Sequence, residues 1–320
     1  MSPDLPERVR LAAARVMERA RVVRIDTDAL SVLAGKLEAS PTSAQLDPAH
    51  QISGEPGDRV AFILALDAIN FGSGYFPYLA KRPGLSGYRT VATSLKEHWE
   101  THGPWDARRL GALSPADCAR ITRQESGIPQ IDELMALFAR ALNDLGEFLL
   151  KRFDGDPTGL VAAADHSAVR LAELLTEMPF FRDVSRYDDF DVPFYKRAQL
   201  TPADLAATFK GDGYGAFSDL DQLTIFADNL VPHVLRREGV LIYDAELGSR
   251  IDAEVCLESG SPEEVEIRAG AVHAVECWVA LLREAGVRTS PHELDTLLWT
   301  RGQQPEIKAH PRHRTRTTFY

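Results

Sequence analysis

The stretch IDELMALFARALNDLGEFLLKRF, residues 131 to 153, has the spacing of one long amphipathic helix. Ile131, Leu134, Met135, Phe138, Leu142, Leu145 and Leu149 recur three or four residues apart and so share one face. A helix of that length buries its apolar stripe only if other elements cover it, and the rest of the chain offers mostly helices. PERVRLAAARVMERA and DTDALSVLAGKLEAS near the start carry the same period, as does SAVRLAELLTEM at 167. DRVAFILALDAINF at 58 reads as a buried helix. Residues 41 to 58, rich in Pro, Ser, Asp and Gly, read as a loop, and GSGYFPYLAKRPGLSGYRT breaks regularity again. Strand candidates are few and short: GVLIYD near 239 and AEVCLE near 253.

Four segments carry one helix-start signal: LSPADCARIT at 113, LTPADLAATF at 200, SPEEVEIRA at 261 and SPHELDTLLW at 290. Each has Ser or Thr, then Pro, then an acid. That is a capping residue, a Pro tolerated at the first helical position, and a negative charge against the positive end of the helix. The expected fold is mainly α, a compact helical protein with at most a few short strands. Residues 1–320 are expected to form a single compact unit, with 1–58 as its N-terminal helical segment.

Composition narrows the function. The chain has 320 residues and a formal net charge of −11. Proteins that grip a nucleic-acid backbone are usually basic, because they must neutralise phosphates. A duplex or tRNA is therefore a poor partner for the whole surface, whereas a small ligand in a local basic pocket is compatible with it. Cys118, Cys256 and Cys277 are scattered, with no C-x-x-C, which fits a reducing compartment and neither a disulfide framework nor a zinc knuckle. No apolar run is long enough to span a membrane and no secretory h-region opens the chain, so a cytoplasmic location is the expectation.

The common catalytic signatures are absent: no P-loop, no H-E-x-x-H, no G-x-S-x-G and no dinucleotide fingerprint after a strand. Gly-rich GDGYG at 211 reads as a turn. Four constellations could carry chemistry. In FADNLVPHVL at 226, Asp228 stands among apolar and amide residues in a helix-like stretch, with Pro232 four positions on. Pro232 has no N–H for the carbonyl of Asp228, so a helix bent at that turn is expected. The acid is a cap, half of a buried pair, or an active-site group. In LDAINFGSGYFPYL, the amide of Asn70 beside Phe71, Tyr75, Phe76 and Tyr78 suits a planar heterocycle stacked and read along its edge, or else an aromatic core. In YDDFDVPFYKRAQL, Asp188, Asp189 and Asp191 precede Tyr195, Lys196 and Arg197, a charged surface turn with apolar residues that must be partly buried. The segment KAHPRHRTRTTFY concentrates Arg312, His313, Arg314 and Arg316 in an acidic protein and ends on Phe-Tyr, which should pack. A packed basic segment suits one phosphate.

Together these stretches resemble the queuosine salvage proteins, the queuosine 5′-phosphate N-glycosylases. The resemblance rests on LDAINF, FYKRAQLTPADL, LTIFADNLVPHVLRREGVLIYDAEL, SGSPEEVEIRAGAVHAVE, LLW and HRTRTTFY, in that order, over roughly residues 60 to 320. It makes 59–320 the family core. It implies hydrolysis of the N-glycosidic bond of queuosine 5′-monophosphate, with release of queuine for tRNA modification, and a fold similar to helix-hairpin-helix DNA glycosylases. It implies Lys196 and Asp228 as the catalytic pair. Asp228 would stabilise the oxocarbenium-like sugar and align or deprotonate water. Lys196 would keep that acid ionised, orient it, or contact the substrate. Asn70, Phe71, Tyr75 and Phe76 would hold the base. Asp191 would take the queuine side chain, Tyr195 and His233 would line the substrate site, and Arg312, His313 and Arg314 would take the 5′-phosphate. No metal or other cofactor is implied, and the expected partner is the small nucleotide alone, with no nucleic-acid polymer and no membrane.

This chain departs from the family's aspartate motif, which often has Tyr-Arg after the acid and Gln after the Pro. Here Asn229-Leu230 and His233 stand in those places. Three rival functions are a DNA or tRNA glycosylase on the same scaffold, a non-catalytic queuosine-binding protein, and a structural helical adaptor, against which the aromatics and the basic segment weigh.

Overall fold

The computed structural model describes residues 3–37 and 47–320. Backbone contacts group the chain into two compact units whose segments alternate along the sequence. The first comprises Met1–Gln45, Asp183–Lys196 and Asp219–Arg316; the second comprises Leu46–Arg182, Arg197–Ser218 and Thr317–Tyr320. Among the described residues the fold is mainly α, as expected, with two small two-stranded sheets.

The first unit is organised around the helix Pro262–Glu284. Ser261 starts it, its side chain accepting from the Glu264 N–H, with Pro262 in the first turn. Val265, Ile267, Val272, Val275 and Trp278 point to several sides and are all buried, so elements must pack around it. The helices Leu5–Met17, Thr27–Leu37, Val231–Arg237 and Pro291–Arg301 do so. Strand β1 (Val23–Ile25) pairs antiparallel with a strand far along the chain at Leu241–Tyr243, with Arg24 opposite Ile242. Buried Glu266 fastens this edge to the helix: its carboxylate accepts from the N–H groups of Arg21, Val22 and Val23 and from the Tyr187 hydroxyl at 2.7 Å. Strands β2 (Val184–Tyr187) and β3 (Phe190–Pro193) form a hairpin closed by Asp188-Asp189. The strand at Leu241–Tyr243 is β4.

The second unit is built on the predicted long helix, which runs from Pro129 to Phe153. The helices Pro56–Ala68, Ala107–Gly111, Pro115–Thr122 and Pro157–Ala163 cover its apolar face. Gly146 lets the short helix Ala107–Gly111 lie against it: a Cβ there would sit 2.5 Å from both the Ala107 carbonyl oxygen and the Gly111 nitrogen. Buried Arg197 ties this unit's carbonyls together. It donates to Asp67 and Ala68 at the end of one helix, to Phe180, and to Thr318 at 2.6 Å, and its guanidinium lies over the Phe71 and Phe181 rings. The terminal Tyr320 is packed, and its carbonyl accepts from the Gly72 N–H at 3.0 Å. His50 is buried against Asp204 at 3.3 Å and bonds the Tyr88 hydroxyl. Burial alone would lower its pKa, but the charges of Asp204, Asp67 and Asp47 outweigh it and raise the pKa to about 9.

Several local expectations were corrected. Of the four helix starts, Ser114, Ser261 and Ser290 do begin helices. LTPADL does not: the helix runs unbroken from Lys196 to Phe209 with Pro202 inside it. Thr201 is therefore no cap, and its hydroxyl instead donates back to the Arg197 carbonyl. AEVCLE forms no strand, only a bridge between Leu257 and Thr315. The acidic segment at 187 is, as expected, an exposed turn, Asp188-Asp189, flanked by the buried Tyr187, Phe190 and Val192; what the sequence did not show is that it closes a hairpin. Of the loop at 41 to 58, residues 41–46 lie outside the described residues, 48–50 form one 3-10 turn, and the helix begins at Pro56.

Candidate active site

Lys196 is the first residue of its helix, and the backbone before it turns sharply. Tyr195 has φ of +50°, a left-handed conformation that bulky residues rarely adopt. The turn is held by Asp183, the residue before β2. Its carbonyl oxygen accepts from Phe194 N–H at 2.9 Å and Tyr195 N–H at 3.2 Å, and its Oδ2 accepts from Lys196 N–H at 3.1 Å. The hairpin thus brings its own two ends together, and Lys196 leaves from the junction. Lys196 is buried, at 6 % exposure.

Asp228 does not lie on a bent helix. Residues 223–230 are irregular, and the helix begins at Val231 with Pro232 in its first turn, where a missing N–H costs nothing. Asp228 Oδ1 accepts from Leu230 N–H at 2.7 Å and Val231 N–H at 2.9 Å, an Asx turn that leads into the helix. Among the described residues no hydrogen bond reaches Oδ2. The carboxylate is therefore fixed by one oxygen and half-buried.

The segment around 312 belongs to the same unit. Asn229 donates to the His313 carbonyl at 3.1 Å, joining the Asp228 turn to the basic stretch. Burial lowers the Arg312 pKa, and the charge of Asp228 opposes that shift, so the two groups feel each other. His313 is buried, and burial with the nearby Arg268 and Arg312 pushes its pKa down to about 3. It is neutral at pH 7 and offers hydrogen bonding rather than charge. His233 is similar: burial takes it down to about 4, and its Nε2 contacts the Ile307 carbonyl at 3.1 Å. Arg314 turns to Glu254 at 2.5 Å.

Beside Tyr195 runs a groove of about 430 Å³, lined in part by Arg8, Leu11, Arg15, Phe190 and Asp191. Asp191 is exposed on β3 and paired with Arg186 at 3.1 Å. The remaining predicted residues lie in the second unit. There Phe71 and Tyr75 are core side chains at 2 % and 3 % exposure, and the Phe71 ring meets Phe138 edge-on. Asn70 and Phe76 are half-buried, just past the end of the helix Pro56–Ala68.

Sequence reasoning missed Asp183 and Arg268. Arg268 is 1 % exposed; its two terminal nitrogens meet the two oxygens of Asp183 at 3.0 and 2.6 Å, and its Nε donates to the Ala227 carbonyl at 3.0 Å. The available signal was one arginine within the run VEIRAGAVHAV, where a charge must be paired to be buried.

The sequence model for queuosine salvage proteins matches residues 50–320. The chain belongs to the queuosine salvage protein family. A Sphaerobacter thermophilus relative named queuosine 5′-phosphate N-glycosylase/hydrolase is 38% identical over 96% of this chain and 95% of its own length. A Bos taurus protein of the same name is 30% identical over 97% of this chain and 98% of its own length. A Dictyostelium discoideum protein, again so named, is 37% identical over 57% of each chain. The family match covers every predicted site residue, from Asn70 to Arg314. Among the described residues no helix is long and apolar enough to cross a membrane, and no group of three or more His, Cys, Asp or Glu is placed to hold a metal ion.

Proposed function

We propose that this protein hydrolyses the N-glycosidic bond of queuosine 5′-monophosphate, releasing queuine and ribose 5-phosphate. The observation that carries the reading is near-full-length likeness to enzymes named for that reaction, joined to a carboxylate held by one oxygen at Asp228. Breaking the bond leaves positive charge on the sugar ring and negative charge on the departing base. Water then adds at the anomeric carbon, and the proton it gives up ends on the departing base, which becomes neutral queuine. A 7-deazapurine has no N7 to protonate, so acid catalysis through that nitrogen is closed and the burden falls on electrostatics and positioning.

In this reading the free oxygen of Asp228 faces the sugar, stabilises the oxocarbenium-like state and aligns the water, as carboxylates do in glycoside hydrolysis. Lys196 is the cation set against that acid. Arg312, whose charge is coupled to Asp228, is the first choice for the 5′-phosphate, with Arg314 and the neutral His313 as secondary contacts. Tyr195, His233 and Asp191 contribute to the substrate site. The whole chain serves as the catalytic body, and it works in the cytoplasm. The net charge of −11 fits a mononucleotide better than a polymer, which would need a basic groove.

The test is chromatographic detection of queuine from queuosine 5′-monophosphate, run beside the nucleoside and a queuosine-containing tRNA. Release from the monophosphate is the expected result. Ligand binding without any release would replace the enzyme by a binding protein, and release from tRNA alone would favour a polymer glycosylase.

A further inference from the structure

Lys196 and Asp228 come from distant parts of the sequence, yet one buried ion pair holds the backbone of both. Asp183 binds three successive N–H groups, those of Phe194, Tyr195 and Lys196. It thereby imposes the left-handed Tyr195 conformation from which the Lys196 helix departs. A bulky residue keeps such a conformation only where its surroundings dictate it. Arg268 grips both oxygens of Asp183 and, through Nε, the carbonyl of Ala227, the residue immediately before Asp228. Its guanidinium is seated over the Phe194 ring at 3.9 Å, with Glu264 at 3.6 Å on the same helix.

We propose that the Asp183–Arg268 pair is a positioning device that fixes Lys196 relative to Asp228 and so sets the rate of bond cleavage rather than the affinity for substrate. The proposal rests on the reading of those two residues as the catalytic pair. Stability alone is a poor reason for this arrangement, since buried ion pairs are often matched or surpassed by apolar side chains of similar volume. What apolar side chains cannot do is bond a carboxylate and a carbonyl at fixed angles. The planar guanidinium does this, and a lysine ammonium, a compact point charge, does not.

The test is Arg268→Lys, which keeps a positive charge opposite Asp183 but cannot span Asp183 and Ala227 together. A displacement of about 1 Å in a catalytic group costs on the order of 100-fold, so kcat for queuine release should fall by about that factor while KM moves less than about threefold. In an Asp228→Asn background, measured in single turnovers with enzyme in excess, the same change should lower the residual rate by less than about threefold, because the group being aligned is gone. Equal losses in both backgrounds, a rise in KM at constant kcat, or an Arg268→Lys enzyme with wild-type kcat would each overturn the proposal. The catalytic reading fails separately: a wild-type rate in Asp228→Asn alone would remove that reading and this proposal with it. Should circular dichroism find Arg268→Lys unfolded, Asp183→Asn keeps the main-chain carbonyl that binds Phe194 and Tyr195 but removes the ion pair with Arg268, and it must lower kcat at nearly constant KM; an Asp183→Asn enzyme with wild-type kcat overturns the proposal.

Discussion

Replacing Asp228 by Asn separates two jobs done by one side chain. The first is structural: Oδ1 accepts from the Leu230 and Val231 N–H groups at 2.7 and 2.9 Å. The Asn amide oxygen can accept the same two bonds. What the turn loses is a negative charge at the start of a helix, about 0.3–1 kcal/mol. In the proposed mechanism the second job is electrostatic. A carboxylate oxygen about 3.5 Å from a cationic sugar carbon, at an effective dielectric of about 20, contributes roughly 5 kcal/mol to the transition state. An amide dipole supplies only a fraction of that, so queuine release should fall on the order of 1,000-fold. Asp228→Ala adds the loss of the acceptor itself, about 0.5–2 kcal/mol of stability. The assays are single-turnover chromatography for the rate and urea unfolding for the stability. The reasoning is refuted if the Asn enzyme keeps a rate within about threefold of wild type. It is equally refuted if the Asn enzyme loses as much stability as the Ala enzyme, for then the amide does not hold the turn.

Two further outcomes follow from the core. His313 and His233 are buried with pKa values pushed down to about 3 and about 4, below the usual value near 6.5, so the unfolded chain takes up protons there that the folded protein does not. Their stabilisation is complete above about pH 6.5 and is lost as pH falls, by about 2 kcal/mol each at pH 5. Urea unfolding at pH 7.5 and 5 should show His313→Asn with a shallower pH dependence than wild type, and equal slopes would contradict the buried neutral imidazole. Gly146→Ala sets a methyl 2.5 Å from two backbone atoms of the helix Ala107–Gly111. Overpacking against backbone costs about 1–3 kcal/mol, and a thermal melt no lower than wild type would mean that the two helices do not approach so closely.

Local signals in the sequence determined the helices. The apolar period at 131–153 and the Ser-Pro starts at 114, 261 and 290 specify structure through neighbours three or four residues away, and they were readable for that reason. The family was readable as well, because its long motifs preserve order and spacing over most of the chain. Where local signals competed, the tertiary structure decided. Pro202 looked like a helix start, yet the helix begins six residues earlier, at the junction that Asp183 holds. Pro232 looked like a kink in a helix that in fact starts beside it. The hairpin at 184–193 was hidden by its acids, which lie at the turn and on the exposed face while Tyr187 and Val192 point inward. The sequence shows Lys196 and Asp228 only as two residue types at two positions. The bonds that hold the backbone at Lys196 and just before Asp228 come from Asp183 and Arg268, residues far apart in the chain, and such long-range pairing leaves no period or spacing to read.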